Sequence, residues 1–246
     1  GTKIYITYGD HDLCENIIHL VLARLPGAPE GTQGISLFVV PKYLVNEDGS
    51  LGVPNEVQCI SLEEKLGIHA SPTAVMSYGE DKGAIGYLVG EENCGLMHMF
   101  TMMNNARHAV GREGLAVGEA AYQLALKYAK DRVQGKVAGS SASATILEHP
   151  DVKRMLMSMK STVEAMRGLT YICAYAFDVA ERSADKGERD RAARRGDLLT
   201  PVVKGWCTEN AQSLASLGVQ VHGGMGFVEE TGAAQYIRDA RILPIY

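Results

Sequence analysis

The sequence predicts an α+β protein, in which a partial β-barrel or sheet domain over residues 1–90 precedes an antiparallel four-helix bundle over residues 91–246. The hydrophobic period changes once, near residue 91, from short alternating runs to helical spacing. Gly, Pro, Asn and Asp separate the N-terminal runs, as between strands joined by turns. Each predicted helix of the C-terminal domain is apolar on one face, and helices of that kind bury their apolar faces by packing together.

Six short runs in the first domain have strand character, because they alternate or are rich in β-branched residues. Strands spaced so closely predict a sheet or a partial barrel. The predicted strands are Lys3–Thr7, Asn16–Arg24, Gly34–Pro41, Glu56–Ile60, Thr73–Tyr78 and Ala84–Val89.

The first two helices of the second domain are predicted from spacing and from proline. Apolar residues recur at intervals of three and four from Leu96 to Tyr128, which places them on one face of a very long helix. Pro150, followed by Asp151, predicts the start of a second helix, because proline is favoured at the first helical position.

A third helix is predicted to begin at Thr200 and Pro201, as the N-cap and first helical residue. Its apolar stripe continues to Val221, and Gly223 and Gly224 should end it, since glycine is favoured just past a helix. A shorter helical segment follows, which completes the predicted bundle.

The net charge of the chain argues against a protein that binds nucleic acids or other polyanions nonspecifically. The chain has 24 Lys and Arg against 29 Asp and Glu, a formal net charge of -5. Nonspecific nucleic-acid affinity requires clustered basic residues in excess. The basic run from Arg189 to Arg195 is diluted by Glu188, Asp190 and Asp197, which favours a solvated helix face.

The five cysteines form no CxxC pair, so the sequence indicates neither a disulfide framework nor a zinc site, and a reducing, cytoplasmic setting fits it. The seven histidines show no metal-ligand spacing, and no metal is predicted. No apolar run reaches eighteen residues, which excludes a predicted membrane span.

Arg107 is a candidate site residue because it lies on the apolar stripe of the first helix, near Met103. A buried guanidinium requires an anionic or polar partner, which either the protein or a ligand supplies. Met103 and its neighbouring methionines fit either an adaptable pocket floor or plain core, since methionine fills irregular gaps.

Two glycine-containing segments are further candidates. Arg132 and Gln134 lie in a loop whose cations could hold a phosphate, although basic residues also favour helix C-termini. Gly223 and Gly224, after Gln220, would let a ligand approach the backbone closely, but a helix cap explains them equally well.

Taken in order, these features resemble the flavin-dependent acyl-CoA dehydrogenases, and within that family the branch of larger bacterial enzymes. The resemblance runs from Lys3 to Tyr246. Its motifs are Tyr5-Ile6-Thr7, Gly34–Pro41, Glu64–Ile68 with Ser71 and Thr73, Gly90–Leu96, Asn105-Ala106-Arg107, Lys127–Lys136, Gln220–Phe227 and Arg238–Tyr246.

The resemblance implies a cofactor, FAD, held between the β domain, the helical bundle and a neighbouring subunit. It implies that Tyr5 and Thr7 pack against the flavin ring and that Arg107 lies beside the acyl-CoA pocket, with Met103 and Tyr246. The residues that it places on the pyrophosphate and ADP parts of FAD are Arg132, Gln134, Gln220, Gly223 and Gly224. The implied partners are an acyl-CoA substrate, an electron-transfer flavoprotein or similar acceptor, and further subunits in a homodimer or homotetramer.

The implied reaction is α,β-dehydrogenation of an acyl-CoA to a trans-2-enoyl-CoA, with hydride transfer to FAD. The resemblance places the catalytic base directly after Tyr246, because Ala106 occupies the alternative position used by some members. The chain ends in an apolar strip and starts like the middle of a strand, so we expect a longer protein, with both domains incomplete and the 246-residue chain inactive alone.

Two alternatives remain open at this point. An acyl-CoA oxidase shares the scaffold but passes electrons to oxygen. A member of the DNA-alkylation response type would use the flavin fold as a non-catalytic binding module, although the acidic charge balance disfavours nucleic acid.

Overall fold

The structure is a computed structural model that describes residues 1–139 and 141–245. The chain divides into two compact units, Gly1–Met103 and Asn104–Tyr246. The first unit contains the strands, and the second contains most of the helical residues. A long helix that begins at Gly95 continues from one unit into the other.

The first unit consists of short antiparallel strands. They are β1 (Thr2–Thr7), β2 (Ile18–Arg24), β3 (Ile35–Pro41), β4 (Tyr43–Val45), β5 (Leu51–Pro54), β6 (Val57–Leu62), β7 (Thr73–Tyr78) and β8 (Tyr87–Val89). One three-stranded sheet has the order β1-β7-β6, a second has the order β2-β3-β8, and β4 pairs with β5. The predicted α+β class is therefore confirmed.

The core of this unit lies between the two three-stranded sheets. Val21 and Val40 from one sheet pack with Val57, Ala74 and Met76 from the other, and all five are buried. Inward-facing apolar residues at every second position of a strand produce such a core, because alternate side chains point to the same face.

The predicted strands differ from the observed ones where side chains replace backbone pairing. The run Ala84–Val89 is a strand only from Tyr87, because the Asn55 carboxamide binds both the N–H and the carbonyl of Ile85, at 2.8 Å each.

The short strands β4 and β5 were not predicted. They flank an exposed turn at Asn46–Gly49 and are too short to show a clear alternation.

A polar pair, His19 and Tyr78, lies at the edge of this core. The Tyr78 hydroxyl and the Nδ1 atom of His19 are 2.7 Å apart, and the rings meet edge to face. Burial lowers the pKa of His19 below its ordinary value of 6.5, although the Gly9 backbone and Asp10 oppose the shift. Burial also raises the pKa of Tyr78 to about 12.

We therefore predict an acid-side loss of stability that depends on His19. Below pH 6.5 the unfolded state takes up a proton that the folded His19 resists, so the free energy of unfolding falls as the pH decreases. His19→Gln should make the fall between pH 7.5 and 5.5 smaller in urea titrations, with exposed His69→Gln as the control for losing a histidine. An unchanged pH dependence in His19→Gln would contradict this prediction.

The helices are α1 (Gly95–Asp131), α2 (Pro150–Arg182), α3 (Lys186–His222) and α4 (Ala233–Ala240). The second unit contains α2, α3, α4 and the part of α1 that begins at Asn104. Phe177 of α2 lies near His108 of α1, while Arg167 pairs with Glu119, so α1 and α2 run antiparallel. The fourth helix packs against α3. No helix in residues 1–139 and 141–245 combines the length and the apolarity needed to cross a membrane.

Glycines on α1 bring its backbone close to α3. A Cβ atom at Gly111 would lie 2.5 Å from a methyl carbon of Val203, and one at Gly114 would lie 2.8 Å from the Cys207 carbonyl oxygen. One at Gly118 would lie 2.6 Å from a methyl carbon of Leu214. Because these pairs advance together along both helices, α1 and α3 run in the same direction. A shared core of buried Met, Leu, Val, Ala and Cys side chains surrounds the contact.

The predicted start of the third helix is wrong. The helix α3 begins after Asp185, whose side chain accepts a 2.5 Å hydrogen bond from the Glu188 N–H, and Pro201 lies inside it. The Thr200 hydroxyl donates to the Gly196 carbonyl instead of capping a helix. Since Pro201 has no N–H, the carbonyl four residues earlier loses its helical donor, but that residue, Asp197, is exposed and water can replace the bond.

Candidate cofactor and substrate sites

The ends of α1 and α3 are joined by a ring stack. Tyr128 and His222 stack with their centroids 4.4 Å apart, and His222 is buried. The Nδ1 atom of His222 lies 2.7 Å from the Gly218 carbonyl oxygen, which fixes the ring on its own helix. The C-terminal ends of the two helices therefore lie together at one end of the bundle.

The loop after α1 presents Arg132 and Gln134 at this end. The Arg132 N–H donates to the Tyr128 carbonyl at 2.9 Å, and the Arg132 carbonyl accepts from the Ile146 N–H at 2.8 Å. The Gln134 N–H donates to the Ala144 carbonyl at 3.0 Å. The backbone of the loop is thus held on both sides, while the side chains of Arg132 and Gln134 are exposed.

Gln220 and the two glycines lie at the same end, at the C-terminus of α3. Gly223 is the C-cap and has φ +61, a left-handed value that favours glycine, so the helix-cap explanation holds for this residue. Gly224 has no positive φ, and a Cβ atom on it would meet nothing within 4 Å. Gln220 is exposed.

Five of the candidate cofactor residues lie within six positions along the chain of one of the two stacked residues, Tyr128 and His222. They are Arg132, Gln134, Gln220, Gly223 and Gly224. A guanidinium can neutralise and bind phosphate oxygens, and carboxamides add neutral donors. The open surface at the two glycines leaves room for a ligand against the backbone. This donor set fits the phosphate-bearing part of a dinucleotide.

Arg107 lies far from this end on α1. It precedes Tyr128 by 21 residues, which corresponds to about 30 Å along a helix. Arg107 is partly buried, and its positive charge acts on Lys204 of α3, which is only 8% exposed. Met103, which is also partly buried, precedes Arg107 by one turn of α1.

Tyr5 and Thr7 lie in β1 of the first unit, where the strand is irregular. Tyr5 has φ +60 and is 70% exposed, and the pairing of β1 with β7 shifts register between Lys3 and Ile6. Positive φ is costly for a residue with a side chain and is common at functional sites. Thr7 pairs with Thr73, so regular pairing resumes directly after the bulge.

The remaining predicted site residue, Tyr246, lies outside the described residues. Within residues 1–139 and 141–245, no three His, Cys, Asp or Glu side chains gather as metal ligands would. Two features of the bundle were not predicted as site elements, Lys204 and the Tyr128–His222 stack. Lys204 follows buried Thr200 by four residues and precedes buried Cys207 by three, a spacing that could have shown that it faces the core.

The fold consists of a unit of short antiparallel strands and a helical unit whose α1 and α3 ends carry the exposed side chains of Arg132, Gln134 and Gln220. The family model for the acyl-CoA dehydrogenase C-terminal domain matches residues 93–246. The chain belongs to the acyl-CoA dehydrogenase family, as the sequence motifs predicted. Members of this family depend on FAD.

Relatives match the whole chain. It is 57% identical to 3-methylmercaptopropionyl-CoA dehydrogenase of Ruegeria pomeroyi and covers 42% of that protein. It is 42% identical to a butyryl-CoA dehydrogenase of Syntrophomonas wolfei and again covers 42% of the relative. The chain therefore spans less than half the length of these two curated relatives.

Solved structures share the fold. The crystal structure of Caenorhabditis elegans ACDH-11 in complex with C11-CoA matches all of this chain with a TM-score of 0.82 and 28% identity, over 38% of its own length. Butyryl-CoA dehydrogenase from Megasphaera elsdenii also matches the whole chain, with a TM-score of 0.73 and 26% identity, over 55% of its length.

Proposed function

We propose that this chain is part of a longer FAD-dependent acyl-CoA dehydrogenase that converts an acyl-CoA to a trans-2-enoyl-CoA. The observation that carries the proposal is the set of phosphate-type donors at the adjoining ends of α1 and α3 in a chain of this family. Relatives with 57% and 42% identity are named as dehydrogenases of acyl-CoA thioesters, which supports the same reaction class.

At the bundle end, we assign Arg132 and Gln134 to the pyrophosphate of FAD. Their side chains are exposed while their backbones are fixed, so they can bind a ligand without ordering the loop first. We assign Gln220, Gly223 and Gly224 to the ADP part, because the open glycine surface admits a ligand. In the first unit, we assign Tyr5 and Thr7 to the flavin ring, on the evidence of the bulge and the exposure of Tyr5.

We assign Arg107 and Met103, which both lie in α1, to the acyl-CoA pocket, and we assign Tyr246 to the same pocket. The proposed base is a carboxylate directly after Tyr246, which removes the α-proton of the thioester. General-base catalysis requires this group to be ionised and within hydrogen-bond reach of the carbon-bound proton. Bound FAD supplies the hydride acceptor.

Arg107 and Tyr128 are about 30 Å apart along α1, so the residues assigned to acyl-CoA and those assigned to the pyrophosphate of FAD lie far apart on one chain. This separation supports a cofactor that is shared between subunits. In this proposal the Arg132 end of one subunit contacts FAD that is bound mainly by another subunit, in a homodimer or homotetramer. The proposed electron acceptor is an electron-transfer flavoprotein or a similar carrier. The five free cysteines support a reducing, cytoplasmic setting. We also propose that residues 1–90 and 91–246 belong to separate domains.

An acyl-CoA panel with an artificial electron acceptor tests the reaction on the full-length protein. We expect enoyl-CoA formation with at least one acyl-CoA under anaerobic conditions. Peroxide formed in air at the rate of substrate oxidation would instead identify an oxidase. A flavoprotein that oxidises no acyl-CoA and shifts duplex DNA would identify the binding module and contradict the proposal.

A further inference from the structure

Tyr128, near the end of α1, contacts both of the segments that carry candidate residues for the phosphate-bearing part of FAD. Its backbone carbonyl accepts a 2.9 Å hydrogen bond from the Arg132 N–H. Its ring stacks on that of His222, with the centroids 4.4 Å apart and an angle of 29° between the planes. His222 directly precedes Gly223. One residue therefore links the loop after α1 to the glycine end of α3.

His222, the other member of the stack, is fixed on α3. Its Nδ1 atom lies 2.7 Å from the Gly218 carbonyl oxygen, which can only accept, so this nitrogen carries the hydrogen. The turn after α3 packs back on the helix, because a Cβ atom at Gly226 would lie 2.5 Å from the Val219 carbonyl oxygen. That atom would also lie 2.9 Å from the Cβ atom of His222. The histidine and the turn therefore keep one position on the end of α3.

The contact between the two rings is directional. Aromatic rings prefer particular stacked or edge-to-face arrangements, whereas aliphatic side chains pack without a preferred orientation. Tyr128 is partly buried and His222 is buried, so the stack forms part of the packed bundle. It fixes both the distance and the relative orientation of the two helix ends.

We propose that Tyr128 is a positioning residue for FAD: through its carbonyl and its ring, it holds Arg132 and the glycines after α3 in the relative position that one dinucleotide requires. This inference rests on the proposed function, which assigns these residues to the pyrophosphate and ADP parts. A binding surface that is ordered before its ligand arrives loses less conformational freedom on binding. The affinity for FAD should therefore depend on the stack.

The test is Tyr128→Leu in the full-length apoprotein, titrated with FAD. Leucine keeps an apolar side chain and the backbone carbonyl but removes the ring. We expect the affinity for FAD to fall about 3- to 10-fold, the range that an aromatic pair contributes beyond its buried area. Tyr128→Phe keeps the ring and loses only the hydroxyl, so its affinity should stay close to that of the wild type.

Tyr122→Leu is the matched control, because it separates positioning from stability. Tyr122 is also a partly buried tyrosine of α1 that packs on the core of the bundle. It precedes Tyr128 by six residues, which corresponds to about 9 Å along a helix. Both leucine variants should unfold at lower urea concentration than the wild type, but only Tyr128→Leu should lose affinity for FAD.

A double-mutant cycle tests whether Tyr128 acts through Arg132. If the ring positions the guanidinium, Arg132→Ala should cost less affinity in the Tyr128→Leu background than in the wild type. The double variant should then bind FAD at least about threefold more tightly than the product of the two single losses predicts. If Tyr128→Leu does not fold, His222→Leu, which removes the other ring, takes its place in the titration and in the cycle.

The role of Tyr128 and the proposed function fail in different ways. A folded Tyr128→Leu that binds FAD as tightly as the wild type, single losses that multiply without coupling, or an equal loss of affinity in Tyr122→Leu would overturn the role of Tyr128 alone. A wild-type protein that binds no FAD would overturn the proposed function and, with it, this role.

Discussion

Gly114→Ala should destabilise the helical unit by about 1–3 kcal/mol, although alanine is the better helix former. The added Cβ atom would lie 2.8 Å from the Cys207 carbonyl oxygen, 2.9 Å from its carbonyl carbon and 3.1 Å from the Thr208 Cα atom. All three are backbone atoms of α3, which cannot rotate away as the end of a flexible side chain can. The two helices must separate, and the packed core around them is disrupted.

Urea and thermal unfolding of the full-length protein measure this effect. Gly168→Ala is the matched control, because Gly168 lies on an exposed position of α2 and a Cβ atom there would meet nothing within 4 Å. It should stabilise the protein by about 0.5–1 kcal/mol through helix propensity. Equal gains in both variants would show that α1 and α3 do not approach as closely as described.

Arg132→Ala should weaken FAD binding about 10- to 100-fold. A hydrogen bond to a charged group contributes about 1.5–3 kcal/mol, and each 1.4 kcal/mol is a factor of ten in affinity. The apoprotein should keep its stability, because the Arg132 side chain is exposed and its contact with the Gln134 side chain is 3.5 Å long. Titration of apoprotein with FAD measures the affinity.

Lys130→Ala provides the matched control for the loss of a positive charge. Lys130 is exposed in the last turn of α1, two residues before Arg132, but it is not among the residues that we assign to FAD. Its removal should change FAD affinity less than threefold, well below the effect of a lost phosphate contact. Similar losses in the two variants would indicate a general charge effect and would contradict a specific role of Arg132.

Local patterns predicted the fold class and most elements, because strands and helices leave distinct hydrophobic periods in the sequence. The start of α3 was mispredicted because Thr200 and Pro201 carry a strong N-terminal signal that tertiary packing overrides. Thr200 is buried among neighbouring helices, and its hydroxyl satisfies a carbonyl within the same helix. No rule based on neighbouring residues distinguishes this arrangement from a cap.

For a similar reason, the sequence predicted some residues of the candidate site and missed others. Arg132 and Gly223 stand in motifs that the sequence shows directly, and their backbone geometry follows from nearby residues. Lys204 and the Tyr128–His222 stack depend on contacts between residues that are 40 and 94 positions apart in the chain. Only the packing of the helices brings such residues together.

Anaerobic mixing of the FAD-loaded, full-length protein with an acyl-CoA tests the central claim most directly. The proposal predicts that the visible absorbance of the oxidised flavin is lost and that one enoyl-CoA forms for each flavin reduced. A protein that retains no flavin after reconstitution, or whose flavin stays oxidised with every acyl-CoA of a broad panel, would contradict it.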